Sequence, residues 1–338
     1  MCESRSSVVF ADRVYMNDEA MRKLSHAARI VWANCKSEED LIWAVRDGNA
    51  MVVISEYFPI TRNIMSSSKS LRGVVAYGVG YDHIDVEAAS EKGIYVTNAR
   101  GANAESVAEH TFALILSLSR KIIKTHLFVK EGCWRSREEA NLPKWLTPSA
   151  LHGKTIGIIG FGNIGSRVGR IALAYGMRVL VYDPYIPADR VKEAGACPTD
   201  LETLMKSSDY VTIHCALSDE TRGMIGEDEI RLMKPTAYLI NVSRGRVIVE
   251  EALIEALRMG RIAGAGLDVF AEEPIAHDNP LLTLDNVVLT PHIAGGSKEA
   301  LDNVSLTVCE ETLRILRGEI PLNIVNRSML EGRGYRLK

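Results

Sequence analysis

The chain has 338 residues, 46% of them hydrophobic and 25% charged, with a formal net charge of −3. That is length enough for two domains with full cores. The near-balanced charge argues against a nucleic-acid or membrane-surface partner recruited by bulk charge. No run of about 18 apolar residues is present, and the start, Met1-Cys2-Glu3-Ser4-Arg5, lacks a signal-peptide core. The six cysteines (Cys2, Cys35, Cys133, Cys197, Cys215, Cys309) form no CxxC pair and no His/Cys cluster at zinc spacing. They read as free thiols of a cytoplasmic protein without a metal.

Apolar runs at 8–10, 30–32, 51–54, 73–76 and 94–96 alternate with helical patterns near 17–27, 37–46, 61–69 and 85–91. Near-continuous apolar strands alternating with helices predict a parallel, doubly wound sheet. Residues 104–120 follow, apolar on nearly every side around Phe112-Ala113-Leu114-Ile115-Leu116, as a buried helix is. The stretch 129–153, with Trp134, Pro143, Trp145 and Pro148, is long for a structureless loop. It reads either as an arm over a partner subunit, giving a homodimer, or as a surface loop.

A second alternating series begins with the strand 155–159 and the sequence Gly160-Phe161-Gly162-Asn163-Ile164-Gly165. A helical pattern over 166–175 and a strand over 178–182 complete a βαβ unit, and Asp183 follows Gly165 by 18 positions. In that context the glycines are a dinucleotide fingerprint: Gly160 for the tight turn, Gly162 for close approach of a pyrophosphate, Gly165 for helix–strand packing. The helix N-terminus offers N–H groups and a positive dipole end to the phosphates. Further strands are expected near 179–182, 210–214, 238–242, 265–267 and 287–289. A helix over 297–317 comes next, and the polar tail 327–338 is expected to fray.

Three segments place polar groups just after strands, where open parallel sheets bind ligands. Arg244, before Gly245, can present a planar fork to a carboxylate or carbonyl. Asp268 begins a run ending at Glu273-Pro274. His292 follows Pro291 and precedes small residues that leave room for a ligand. Given a nicotinamide site, some group must exchange the hydroxyl proton, and histidine titrates near working pH. A carboxylate beside it would favour the imidazolium, with Glu273 the natural candidate. His214 ends a strand on the expected adenine side, and His83 and His110 are candidates for the cleft between lobes. His26, His126, His152 and His277 read as surface or packing residues.

These segments, with Gly78-Val79-Gly80-Tyr81-Asp82-His83-Ile84-Asp85 and the run from Gly101 to His110, closely resemble the NAD-dependent D-isomer-specific 2-hydroxyacid dehydrogenases over nearly the whole chain. The resemblance implies an α/β protein of two doubly wound lobes. A Rossmann cofactor domain (102–293) is inserted into a flavodoxin-like substrate domain (1–101 and 294–326), with 327–338 as a tail. It implies Arg244 for substrate binding and polarisation, His292 as acid/base, Glu273 as its partner, and the N–H groups around Val79 and Gly80 for the substrate carboxylate. For the cofactor it implies Asn163 and Ile164 at the pyrophosphate, Asp183 at the ribose and Cys215 near the adenine. Val242, Ser243 and Arg244 would lie along the nicotinamide half, with Asp268 at the carboxamide and His292 and Gly295 beside it.

Phosphoglycerate-specific members of the family usually carry arginines where this chain has Ser55, followed by Glu56, and Ala76. A phosphate there would be poorly compensated, although Arg62 and Arg72 are close in sequence. The expected activity is therefore NAD(H)-dependent interconversion of a small D-2-hydroxyacid and its 2-oxoacid, glyoxylate or hydroxypyruvate first. A 3-phosphoglycerate dehydrogenase is one alternative. A dinucleotide-sensing corepressor-like protein is another.

Overall fold

Parallel strands buried on both faces need apolar side chains throughout, and the inner strands of both sheets are built that way. The computed structural model describes residues 6–138 and 143–335. The chain forms two units, Met1–Asn103 with Gly296–Lys338, and Ala104–Gly295.

The first unit opens with β1 (Ser7–Phe10), α1 (Asp18–Ala27), β2 (Arg29–Trp32), α2 (Glu38–Asp47), β3 (Ala50–Ser55), α3 (Arg62–Ser66), β4 (Gly73–Ala76), α4 (Val86–Glu91) and β5 (Tyr95–Asn98). Its five strands are parallel in the order β2-β1-β3-β4-β5. The helices start where capping residues allow: Asn17, Ser37, Thr61 and Asp85 each accept a backbone N–H of the first turn.

The second unit comprises α5 (Ala104–Ser119), α6 (Ile122–Lys130), β6 (Thr155–Ile159), α7 (Asn163–Ala174), β7 (Arg178–Tyr182), α8 (Ala188–Glu193), β8 (Cys197–Pro198), α9 (Leu201–Ser207), β9 (Tyr210–Ile213), α10 (Glu227–Leu232), β10 (Tyr238–Asn241), α11 (Glu250–Arg258), β11 (Gly264–Leu267) and β12 (Val287–Leu289). Its sheet runs β12-β11-β10-β9-β6-β7-β8, all parallel. The order reverses between β6 and β9, a topological switch point of the kind that binds nucleotides. The helical pattern read over 166–175 begins three residues earlier, at Asn163, because the glycine loop enters the helix directly. Of the long connection 129–153, the first two residues finish α6, and 139–142 lie outside the described residues.

The chain then returns to the first unit through α12 (Lys298–Leu316) and α13 (Arg327–Gly332). Val304, Val308, Cys309, Leu313 and Ile315 of α12 cover one face of the sheet, against Val8, Phe10, Val52, Ile54 and Val75. The tail is not frayed as far as residue 335. Val325 donates to Val96 O at 2.8 Å, and the Asn326 side chain accepts from Val96 N at 3.0 Å and donates to Ile94 O at 3.0 Å. Leu330 on α13 is 1% exposed. Burying one leucine is worth about 1.5–3 kcal/mol, which holds a short helix that would not persist alone. Polar composition hid this, since one leucine and one asparagine carry the docking.

Candidate functional site

In the second unit the glycine loop has the geometry its spacing implies. Gly160 has φ +88°, and a Cβ there would meet Cys215 N at 2.7 Å; at Gly165 it would meet Gly160 O at 2.0 Å. Neither position tolerates a side chain. At Gly162 a Cβ would meet nothing within 4 Å, so this backbone is open to a ligand. Gly162 also caps α7 without a side-chain hydrogen bond. The N–H groups of Asn163, Ile164 and Gly165 therefore point out of the helix end, where they can hold a pyrophosphate.

Asp183, just past β7, is fixed beside this loop: Oδ2 accepts from Phe161 N at 2.7 Å and Oδ1 from Tyr185 N at 2.9 Å. The Tyr185 hydroxyl donates to Glu220, so a second carboxylate stands near. Across the switch point, burial pushes the Cys215 thiol up to about 11 and the His214 ring down to about 3. Both are neutral at physiological pH, giving an uncharged wall on the side expected for adenine. The cradle, the exposed helix end and the Asp183 carboxylate together fit an adenine dinucleotide.

Arg244, Glu273 and His292 come together outside the carboxyl ends of β10, β11 and β12, in the other half of the same sheet. Val242, Ser243 and Arg244 follow β10. The Asn241 side chain accepts from Ser243 N at 3.0 Å and donates to Arg244 O at 2.9 Å, which sets the turn. Gly245 must be glycine, because a Cβ would lie 1.9 Å from Phe270 C. That close pass draws the Arg244 turn against the loop carrying Glu273. The Glu273 carboxylate accepts from Phe270 N at 2.9 Å and faces His292 Nδ1 at 2.6 Å. Burial alone would push this carboxyl up. The hydrogen bonds from His292 and Phe270 N–H, with the charges of His292 and Arg244, outweigh burial and hold it below its usual range.

His292 has φ +53°, a backbone conformation rare outside glycine. Asp268 stabilises it. Its carboxylate accepts from Thr290 Oγ1 at 2.6 Å, Ile293 N at 3.0 Å and Ala294 N at 2.8 Å, and its carbonyl accepts from His292 N at 2.8 Å. Asp268 is 0% exposed, so it supports the His292 loop from beneath, and its exposure lends nothing to the implied carboxamide contact. Gly295 follows in the same loop, partly exposed. One member of this network, Thr290, escaped sequence reading. Thr290 links Asp268 to His110 on α5, with 2.9 Å between Thr290 Oγ1 and His110 Nε2. The position of Thr290, two residues before His292, is the signal that could have found it. Among the described residues no group of three or more His, Cys, Asp or Glu could hold a metal, and no helix is long and apolar enough to cross a membrane.

In the first unit, Val79 and Gly80 follow β4. Asn98 donates to Val79 O at 2.6 Å and Ala99 N to Gly78 O at 2.7 Å, which orients this turn. Among the described residues the chain offers no acceptor to either N–H, so both can take a carboxylate. Arg62 is paired with Glu91. Arg72 precedes β4, at the opposite edge of the sheet, and donates to Lys69 O at 2.8 Å. Neither arginine supplies this turn with a cation.

The family model for the D-isomer specific 2-hydroxyacid dehydrogenase NAD binding domain matches residues 112–294. The chain is 43% identical over 297 residues to a glyoxylate reductase of Korarchaeum cryptofilum, covering 88% of each. It is 40% identical over 312 residues to a D-3-phosphoglycerate dehydrogenase of Methanocaldococcus jannaschii, covering 92% of this chain and 58% of that one. Among solved structures, an NADPH-dependent glyoxylate/hydroxypyruvate reductase from Sinorhizobium meliloti, in complex with NADP and malonate, superposes with a TM-score of 0.82. Identity there is 27%, over 97% of this chain and 98% of that one. The chain belongs to the D-isomer-specific 2-hydroxyacid dehydrogenases, and is an NAD-dependent oxidoreductase of 2-hydroxyacids.

Proposed function

We propose that the protein reduces small unphosphorylated 2-oxoacids, glyoxylate and hydroxypyruvate foremost, to D-2-hydroxyacids. The observation that carries this reading is the contact of His292 with an ionised Glu273, next to Arg244. The Val79 and Gly80 N–H groups take the substrate carboxylate. Arg244 orients the acid and polarises the keto oxygen, and His292, protonated and held by Glu273, delivers a proton to that oxygen. Bound NADH supplies the hydride to C2. The test is turnover of a 2-oxoacid panel followed by NADH absorbance. Glyoxylate or hydroxypyruvate should give a higher kcat/KM than 3-phosphohydroxypyruvate, since neither Arg62 nor Arg72 serves the first-unit turn. The opposite order would assign a phosphoglycerate-type substrate, and absence of turnover a sensing role.

NADH should be preferred over NADPH. A 2′-phosphate beside Asp183 would meet like charge from Asp183 and Glu220, and Pro184, Tyr185 and Ile186 bring no arginine to offset it. Asp183→Ala should narrow the kcat/KM gap between the two cofactors. Equal efficiency with both in the unmodified protein would refute this.

The assembly we infer is a homodimer formed through α6. No residue of this helix is buried, and it exposes Ile122, Ile123, Leu127 and Val129, with Trp134 and Trp145 also exposed. Several large apolar side chains exposed along one helix are what a protein contact would cover. Sedimentation should report a dimer for the unmodified chain and a monomer for Ile123→Lys/Leu127→Lys. A dimer that survives both substitutions would place the interface elsewhere.

A further inference from the structure

The order β2-β1-β3-β4-β5 puts the topological switch point of the first unit between β1 and β3. Ligands of open parallel sheets bind in the crevice outside the carboxyl ends of the strands at such a point. Here the crevice holds one of the chain's own carboxylates. Asp12, two residues past β1, turns its Oδ2 into the loop after β3. There it accepts from Glu56 N at 2.8 Å and from Tyr57 N and Phe58 N at 3.3 Å each. Ser55 Oγ stands 2.9 Å from the same oxygen. Three successive backbone N–H groups converging on one oxygen form a nest, a concavity that binds anions. Among the described residues no lysine or arginine forms a salt bridge with Asp12, so these donors carry the compensation of its charge.

The nest lies one strand from the turn at Val79 and Gly80. Ser55 pairs with Ala76 across β3 and β4, and Tyr77 N donates to Ser55 O at 2.7 Å. Neighbouring strands are about 4.8 Å apart, so the loops that follow β3 and β4 leave the sheet side by side. We propose that Asp12 is a specificity-determining residue: its carboxylate fills the anion nest that a second anionic group of the substrate would otherwise enter, and so restricts the enzyme to mono-anionic 2-oxoacids. A dianionic substrate meets a filled nest and a like charge. A mono-anionic one uses only the neighbouring turn. This rests on the reading of that turn as the carboxylate site.

The test compares Asp12→Ala, which empties the nest, with Asp12→Asn, which keeps its volume and removes its charge. In the unmodified enzyme oxaloacetate and 3-phosphohydroxypyruvate should be reduced far less efficiently than hydroxypyruvate. Asp12→Ala should raise the kcat/KM of oxaloacetate, and of 3-phosphohydroxypyruvate, relative to that of hydroxypyruvate by about 10- to 100-fold, the range of a hydrogen bond to a charged group regained. Asp12→Asn should raise it less. A merely structural Asp12 would lower both activities together and leave the ratio where it was, which would overturn the proposal. Inorganic phosphate provides a readout that needs no turnover. It should raise the Tm of Asp12→Ala by about 2 °C at roughly ten times its Kd and leave that of the unmodified protein unchanged. No shift in either variant would show that the nest does not take anions. Phosphate stabilisation of the variant without any oxoacid turnover would uphold the nest and remove the substrate reading instead.

Discussion

His292→Ala should lower kcat/KM for glyoxylate by about 10²–10⁴-fold at every pH, the usual contribution of a positioned general acid. The informative partner is Glu273→Gln. Glutamine keeps the shape and a hydrogen bond to Nδ1 but removes the negative charge that favours a protonated ring. Reduction needs that ring protonated, so the alkaline limb of kcat/KM should move to lower pH in Glu273→Gln. NADH binding, read by fluorescence, should hold. The sign follows from Glu273 itself. Its carboxyl titrates below its usual range, so the negative charge on Glu273 is present at and above ordinary carboxylate pH and is lost as pH falls through the depressed value. Near neutrality Glu273 therefore stays ionised. A limb that did not move would release Glu273 from the role. Asp268 could not take it over from beneath the loop without a rearrangement, because its carboxylate already serves Thr290, Ile293 and Ala294.

Arg244→Ala should cost about 10²–10³-fold in kcat/KM, as expected when one charged donor is taken from the developing oxyanion. The backbone turn should survive, since Asn241 holds it through Ser243 N and Arg244 O and Gly245 fixes its approach to Phe270. Arg244→Lys separates charge from shape. A lysine restores a point charge but not the planar fork that grips a carboxylate with two parallel hydrogen bonds. It should recover only part of the loss, with KM for glyoxylate staying high. Full recovery would mean that charge alone is used there.

Much of the strand layout was legible because buried parallel strands are written as unbroken apolar runs: β4, β6, β7 and β12 coincide with their expected spans, the other expected strands differ by a residue or two at an end, and only the two-residue β8 was not expected. The fingerprint was legible for a related reason, since each glycine answers a local steric demand. What stayed hidden depends on contacts far apart in sequence. No motif in the sequence marks Asp12. Its partners lie more than forty positions away and become neighbours only because β1 pairs with β3. Asp268 was singled out by position, but its burial under the His292 loop needed the β11–β12 pairing. Asn326 and Leu330 are lone residues in a polar stretch, and no periodicity marks a helix held by one side chain.

The first unit is written in two pieces, and its second piece carries a whole face of its core. During synthesis β1 to β5 leave the ribosome with Val8, Phe10, Val52, Ile54 and Val75 lacking the cover that α12 later provides. The entire second unit must be translated before α12 arrives. At about 5–20 residues per second that is a delay of roughly 10–40 s. A naked parallel sheet with an open β5 edge is a template for mispairing with other chains. The second unit, contiguous in sequence, can complete its own fold during that interval. The vulnerable period in the life of this enzyme is thus the wait for its last forty residues, and crowding of nascent chains or a shortage of chaperone would act on the first unit before the second.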